Sequence, residues 1–134
     1  MLAEARVARL GVVDDELWPR VLPVTYVLHA GALWSAVDEK RKRAPGRELA
    51  RVRFLRSRPQ AALTVDHYEE DWSALAWVQV LGRVRMLSLD DEPAAVAALV
   101  AKYDPYRERP PVGPLLHLVP ERFLSWQAVF PALK

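Results

Sequence analysis

The residues of this chain best suited to bind a charged ligand are four consecutive cations, Lys40-Arg41-Lys42-Arg43, which follow the apolar stretch GALWSAV after two acids, Asp38 and Glu39. Five arginines follow them up to residue 58, and Glu48 is the only acid from residue 40 to residue 58. Arginine offers a bidentate fork and lysine a point charge, so the segment could hold a phosphate. The alternative is a solvated turn followed by the exposed face of a helix. The residues alone leave both interpretations open, and they do not identify the anion.

Other chemistries have little support. The chain has no cysteine, which excludes disulfides, thiolate nucleophiles and cysteine metal sites. The three histidines, His29, His67 and His117, are isolated, and a metal site would need His67 to join the acids of DHYEED, where an exposed turn is the simpler interpretation. The serines lie in no nucleophile-elbow pattern, and there is no glycine-rich phosphate loop. The sequence therefore gives no support for nucleophilic hydrolysis or for a metal centre.

Length and composition indicate one folded domain, residues 1–134, with 51% hydrophobic and 27% charged residues. Five tryptophans could suit single-stranded nucleic acid, but Trp34 and Trp77 lie in apolar strands and the net charge is only +2. No apolar run reaches the roughly 18 residues that span a bilayer, and no secretory leader is present. We therefore expect neither a nucleic-acid nor a membrane partner, and a cytoplasmic location.

The elements that must position the cations are mostly strands. Alternating apolar residues and turn signals predict strands over RLGVV, RVLPVTYVLHA, ALWSAV, QAALTVDHY, ALAWVQVLGRVRML and LLHLVPERFLSWQ. Residues 2–9 are predicted to be the end of a short helix, and two further helices are predicted from Arg47 to about Ser57 and from Asp90 to about Tyr103. Consecutive strands joined by short turns favour an antiparallel barrel or sandwich. The prediction from these residues is a small β-barrel-like domain with an anion site.

From about Ala8 to Trp126 the chain resembles the pyridoxamine 5′-phosphate oxidase-like flavin/deazaflavin oxidoreductases, and in particular their F420-dependent subgroup. The segments PVTYVL, LWSAVDEKRKR, VDHYEEDWS and KYDPYRERPPVGP carry this resemblance. It implies a mainly β split barrel with two or three short helices that forms a homodimer, with cofactor sites at the subunit interface. It also implies hydride transfer between coenzyme F420, or alternatively FMN, and a small-molecule substrate. A non-catalytic protein that binds flavin, haem or another tetrapyrrole is the second hypothesis.

The resemblance also implies which residues contact the cofactor. Lys40 and Lys42 would hold the phosphate, and the resemblance leaves open whether Arg47 or Arg51 also reaches it. The residues implied along the cofactor ring from this chain are Pro23, Val24, Thr25, Ser35, Ala36 and Val37, and those often supplied by the partner chain are Trp72, Ser73 and Trp77. No catalytic side chain is assigned. Tyr26, His67 and Tyr68 are candidates for a proton donor by residue type only.

Overall fold

The structure, a computed structural model, describes residues 1–37 and 49–129 of the chain. The predicted phosphate ligands Lys40 and Lys42, together with Arg47, lie outside the described residues. The strands are β1 (Ala8–Val13), β2 (Pro19–Val24), β3 (Val27–His29), β4 (Ala32–Ala36), β5 (Gln60–His67), β6 (Ala76–Leu87) and β7 (Leu115–Gln127). The helices are α1 (Ala50–Ser57), α2 (Pro93–Lys102) and α3 (Pro105–Glu108). No helix within the described ranges is long and apolar enough to cross a membrane.

All seven strands belong to one antiparallel sheet in the order β2-β1-β5-β6-β7-β4-β3. Strands β2 and β3 stand at the two ends of this order, yet only Thr25 and Tyr26 separate them in the chain. The sheet must therefore curl until its two ends meet, which produces a half-barrel. At this junction the Ser35 hydroxyl on β4 donates a hydrogen bond to the carbonyl oxygen of Thr25 at 2.7 Å.

Alternation along the strands sends apolar side chains to two separate cores. The larger core fills the inside of the curl, where Leu10, Leu63 and Val80 pack together with Leu55 of α1. The smaller core lies on the other side of β4, where α2 and α3 cover Trp34. Each fully buried side chain of this size contributes about 1.5–3 kcal/mol by leaving water. The two cores therefore hold β4 from both sides, which fixes the strand that carries Ser35.

The long strand pair β6–β7 is bent at Gly82. The register of the pair shifts between Leu81 and Gly82. A Cβ atom at Gly82 would lie 2.1 Å from the carbonyl oxygen of Val119, so no residue with a side chain fits there without moving the backbone. The bulge lets β7 follow the curl, so that its first residues, Leu115–Leu118, pair with β4 as well as with β6.

The predicted mainly β fold is confirmed, with three local differences. Residues 2–9 form turns and the start of β1 rather than a helix, because nucleation of so short a helix is unfavourable. Backbone carbonyls of this segment accept hydrogen bonds from tyrosine hydroxyls: Leu2 from Tyr26, and Arg6 from Tyr103. The predicted strand RVLPVTYVLHA is two strands, because the chain crosses from one end of the sheet to the other at Thr25. The proline-rich segment after α2 contains the short helix α3.

Candidate functional site

A groove of about 140 Å³ opens at the junction where the two ends of the sheet meet. It is lined by Val7, Pro23, Val24, Thr25, Ser35, Ala36 and Arg51. The groove joins the end of β2, the end of β4 and the first turn of α1. It exists because the curl of the sheet brings β2 and β4 together, although four strands separate them in the sheet order.

Five of the residues predicted to lie along a cofactor come together in this groove, namely Pro23, Val24, Thr25, Ser35 and Ala36. Val37 does not line it: the residue is 1% exposed and packs in the inner core. Its N–H donates to the carbonyl of Pro114 at 3.1 Å, and its own carbonyl accepts from the N–H groups of Val112 and Gly113 at 3.0 Å. Val37 therefore anchors the end of β4 through its backbone.

The two hydroxyl groups of the groove are both fixed by hydrogen bonds. Ser35 Oγ donates to the Thr25 carbonyl at 2.7 Å, and Thr25 Oγ1 lies 2.7 Å from the hydroxyl of Tyr106 on α3. The next residue is fixed as well, since the N–H of Tyr26 donates to the Tyr103 hydroxyl at 3.0 Å. The connection from β2 to β3 is thus held from the outside by the tyrosines at the end of α2 and in α3.

Arg51 supplies the positive charge of the groove. It lies in the first turn of α1. The buried residues of this helix pack against the barrel and thereby determine how the helix is rotated and where its arginines point; they are Val52, Phe54 and Leu55. Arg51 is half-buried, whereas Arg53 on the same helix is exposed and pairs with Asp15 at 3.5 Å. The partial positive charge of a helix N-terminus adds to that of the guanidinium, and both favour an anion.

A second, larger cavity of about 480 Å³ lies beyond Val37. It is lined by Arg56, Met86, Leu87, Ser88, Leu89, Asp90, Val112, Gly113 and Pro114. Helix α1 therefore presents Arg51 to the smaller groove and Arg56 to the larger cavity. Five of the predicted ring-contacting residues line the smaller groove, which we take as the candidate site.

The predicted aromatic contacts lie elsewhere on this chain. Trp72 is 68% exposed and begins a short 3₁₀ turn that Asp71 caps by accepting from the Ser73 N–H at 3.0 Å. Trp77 lies on β6 opposite Trp126 of β7. Trp72, Ser73 and Trp77 are not among the described residues that line the groove. Within this single chain, the structure does not bring them together with Thr25 and Ser35.

The three candidate proton donors also lie outside the groove lining. Tyr26 is fully buried, its hydroxyl donates to the carbonyl of Leu2, and burial raises its pKa to about 12. His67 contacts Glu69 at 3.0 Å in the acidic turn, and Tyr68 is 63% exposed. Across residues 1–37 and 49–129, no group of three or more histidines and acids could hold a metal ion.

Sequence reasoning left the role of Arg51 open and did not single out Val7. No local signal marks Val7, because it joins the groove through the pairing of β1 with β2. For Arg51, its position in the first turn of an amphipathic helix was a usable signal, but which of the segment's arginines faces the groove depends on how α1 packs.

Residues 1–120 match the family model described as pyridoxamine 5′-phosphate oxidase. No curated protein sequence matches the chain. The family resemblance read from the sequence is therefore confirmed over most of the chain.

Solved structures share the fold at low sequence identity. A heme binding protein from Mycobacterium smegmatis superposes with a TM-score of 0.75 at 22% identity, over 93% of this chain and 50% of that chain. A FAD-binding protein from Mesorhizobium loti has a TM-score of 0.64 at 22% identity, over 92% of this chain and 85% of that one. An F420 reductase has a TM-score of 0.62 at 19% identity, over 92% of this chain and 93% of that one. The chain thus spans half the length of the heme binding protein, and these similarities establish the split-barrel fold.

Proposed function

This chain belongs to the pyridoxamine 5′-phosphate oxidase family, and we propose that it is an oxidoreductase that binds coenzyme F420 in the groove between β2 and β4. FMN is the alternative cofactor. The cofactor would supply hydride chemistry toward a small organic substrate, while the protein binds, orients and shields it. One observation carries the proposal: the groove combines a half-buried cation, Arg51, with the hydroxyls of Thr25 and Ser35 and an apolar strand end.

The groups of the groove suit the two parts of such a cofactor. Arg51 would bind the phosphate with a charge-assisted hydrogen bond, together with Lys40 and Lys42 from the segment that joins β4 to α1. Thr25 and Ser35 would offer neutral hydrogen bonds to the polar edge of the ring. Val24 and other apolar residues of the groove would cover its face and exclude water. This division is typical of cofactor sites, which are mostly apolar with a few placed polar groups.

We propose further that the site is completed by a second copy of this chain. A groove of about 140 Å³ is smaller than the roughly 300–1,000 Å³ of ordinary ligand pockets, so a whole cofactor needs additional walls. Exposed aromatic residues are available for that role: Trp72 is 68% exposed and Trp126 is 44% exposed beside Trp77. Exposed aromatic clusters on a folded domain are typical of interaction surfaces.

Sedimentation at micromolar concentration tests the dimer. Trp126→Glu is expected to produce a monomer that binds cofactor weakly, because a carboxylate would be buried in the interface. Trp18→Glu is the matched control, since Trp18 is 65% exposed in the turn between β1 and β2. A wild-type protein that sediments as a monomer would contradict the proposed assembly.

The cofactor assignment is tested by titration of the purified protein with F420, FMN and haem, followed by oxidation of reduced F420 with a panel of acceptors. We expect micromolar binding of F420 and turnover with at least one acceptor. Tight F420 or FMN binding without any turnover would favour the non-catalytic carrier. Binding of neither F420 nor FMN would refute both cofactor assignments, and haem binding alone would move the protein to the haem-binding class.

A further inference from the structure

Tyr106 contacts the groove-lining residue Thr25 from the smaller core, which α2 and α3 cover. Its ring is 6% exposed and packs in the outer core with Trp34 and Leu99. Its hydroxyl lies 2.7 Å from Thr25 Oγ1, although 81 residues separate the two in the chain. The ring of Tyr103 meets it edge to face with centroids 5.7 Å apart. The Tyr106 side chain is therefore held by core packing, and its hydroxyl touches a residue that lines the groove.

The chemistry of the two groups gives this hydrogen bond a direction. A phenol is a stronger acid than an aliphatic alcohol, so the favoured arrangement has Tyr106 donating and Thr25 Oγ1 accepting. The hydrogen of the Thr25 hydroxyl is then left for another acceptor, and Thr25 is one of the residues that line the groove. Ser35, in contrast, already donates its hydrogen to the Thr25 carbonyl at 2.7 Å, so Ser35 Oγ presents lone pairs. The groove thus offers one hydroxyl as a donor and the other as an acceptor.

The backbone around Thr25 is held in place at the same time. The Tyr103 hydroxyl accepts from the N–H of Tyr26 at 3.0 Å and lies 2.9 Å from the Tyr26 carbonyl. A side chain whose backbone and hydroxyl are both fixed before a ligand arrives loses little conformational entropy on binding.

We propose that Tyr106 is a positioning residue that orients the Thr25 hydroxyl as a hydrogen-bond donor to the cofactor ring. This inference rests on the proposed function of the groove. The ligand group it selects is a ring edge on which a carbonyl oxygen or ring nitrogen lies beside an N–H. The pyrimidine part of both flavin and deazaflavin rings has such an edge. The Thr25 donor would meet the acceptor of that edge, and Ser35 Oγ would meet its N–H.

The test is a double-mutant cycle on the full chain, with FMN and F420 as the titrated probes. Tyr106→Phe removes one hydroxyl and Thr25→Val replaces the other with a methyl group of similar size. Each is expected to weaken binding by about three- to tenfold and to shift the absorption maximum of the bound cofactor, as for loss of one neutral hydrogen bond. In the Thr25→Val background, Tyr106→Phe should cause no further loss, and Thr25→Ser should retain wild-type affinity.

Tyr103→Phe is the matched control, because among the described residues the Tyr103 hydroxyl bonds backbone atoms only. This variant should have a lower melting temperature, and any effect on affinity should persist in the Thr25→Val background. Wild-type affinity in Tyr106→Phe, or a loss undiminished in the Thr25→Val background, would overturn the inference. If Tyr106→Phe does not fold, the Thr25→Val and Thr25→Ser pair decides, since equal affinity of the two also overturns it. A wild-type protein that binds neither probe would instead refute the proposed function.

Discussion

Replacing Arg51 with methionine is the sharpest perturbation of the candidate site. Methionine keeps the unbranched apolar stem and a high helix propensity, so α1 should remain intact. The guanidinium is lost from the groove lined by Thr25 and Ser35. Because Arg51 is half-buried, its charge is less screened by solvent than that of an exposed arginine.

The magnitude follows from the type of bond. A hydrogen bond to a charged group contributes about 1.5–3 kcal/mol, which corresponds to a roughly ten- to hundredfold increase in the dissociation constant. Arg51→Lys keeps the charge but loses the fork and is expected to recover part of the affinity. Arg56→Met is the matched control, because Arg56 lies on the same helix but lines the larger cavity of about 480 Å³.

Isothermal titration with F420 and FMN, each repeated with excess inorganic phosphate as a competitor, measures the effect. Arg51→Met should weaken both cofactors and lose the competition by phosphate. An Arg51→Met dissociation constant within about twofold of the wild-type value would refute the assignment of the phosphate to this groove. Loss of affinity in Arg56→Met instead would place the phosphate in the larger cavity.

Three further predictions concern stability and protonation. Gly82→Ala should lower the free energy of unfolding in urea by about 1–3 kcal/mol, since the new methyl group meets a backbone carbonyl. Gly11→Ala should lower it much less, because a Cβ atom at Gly11 would lie 3.7 Å from its nearest neighbours, atoms of Ala62. Equal losses of stability in the two variants would contradict this prediction. Burial raises the pKa of Tyr26 to about 12, so the neutral phenol stabilises the folded state by an amount on the order of 2 kcal/mol. This stabilisation is present below pH 10 and is lost as the pH rises toward 12. A urea unfolding midpoint that stays constant from pH 10 to pH 12 would contradict this prediction. Burial and the nearby Arg85 lower the pKa of His117, so stability should fall as the pH drops below about 6.5, and an NMR titration that gives His117 a pKa of 6.5 or more would exclude this.

The local pattern of the sequence was sufficient for most strands and for two helices. The alternation along β6, with Val80 buried and Trp77 on the other face, and the proline at the start of α2 are local signals that the structure bears out. Residues 2–9 were mispredicted because a short amphipathic pattern is marginal as a helix, and long-range bonds from Tyr26 and Tyr103 decide its conformation.

The site was predictable only in part, for a physical reason. The family resemblance implied Thr25 and Ser35 as cofactor contacts, but the approach of these two residues depends on closure of the whole seven-stranded sheet. Arg51 and Tyr106 enter through the packing of α1 and α3, and no spacing within the chain reveals contacts across 81 residues. The partner's contribution stays a prediction, as do the roles of Lys40 and Lys42.

An NMR titration of the backbone amides with F420 and with FMN tests the central claim most directly. If the groove between β2 and β4 holds the cofactor, as we propose, saturable shifts should be concentrated at the groove-lining residues Val24, Thr25, Ser35, Ala36 and Arg51. Shifts confined to residues outside the groove, or no shifts with either cofactor, would contradict it.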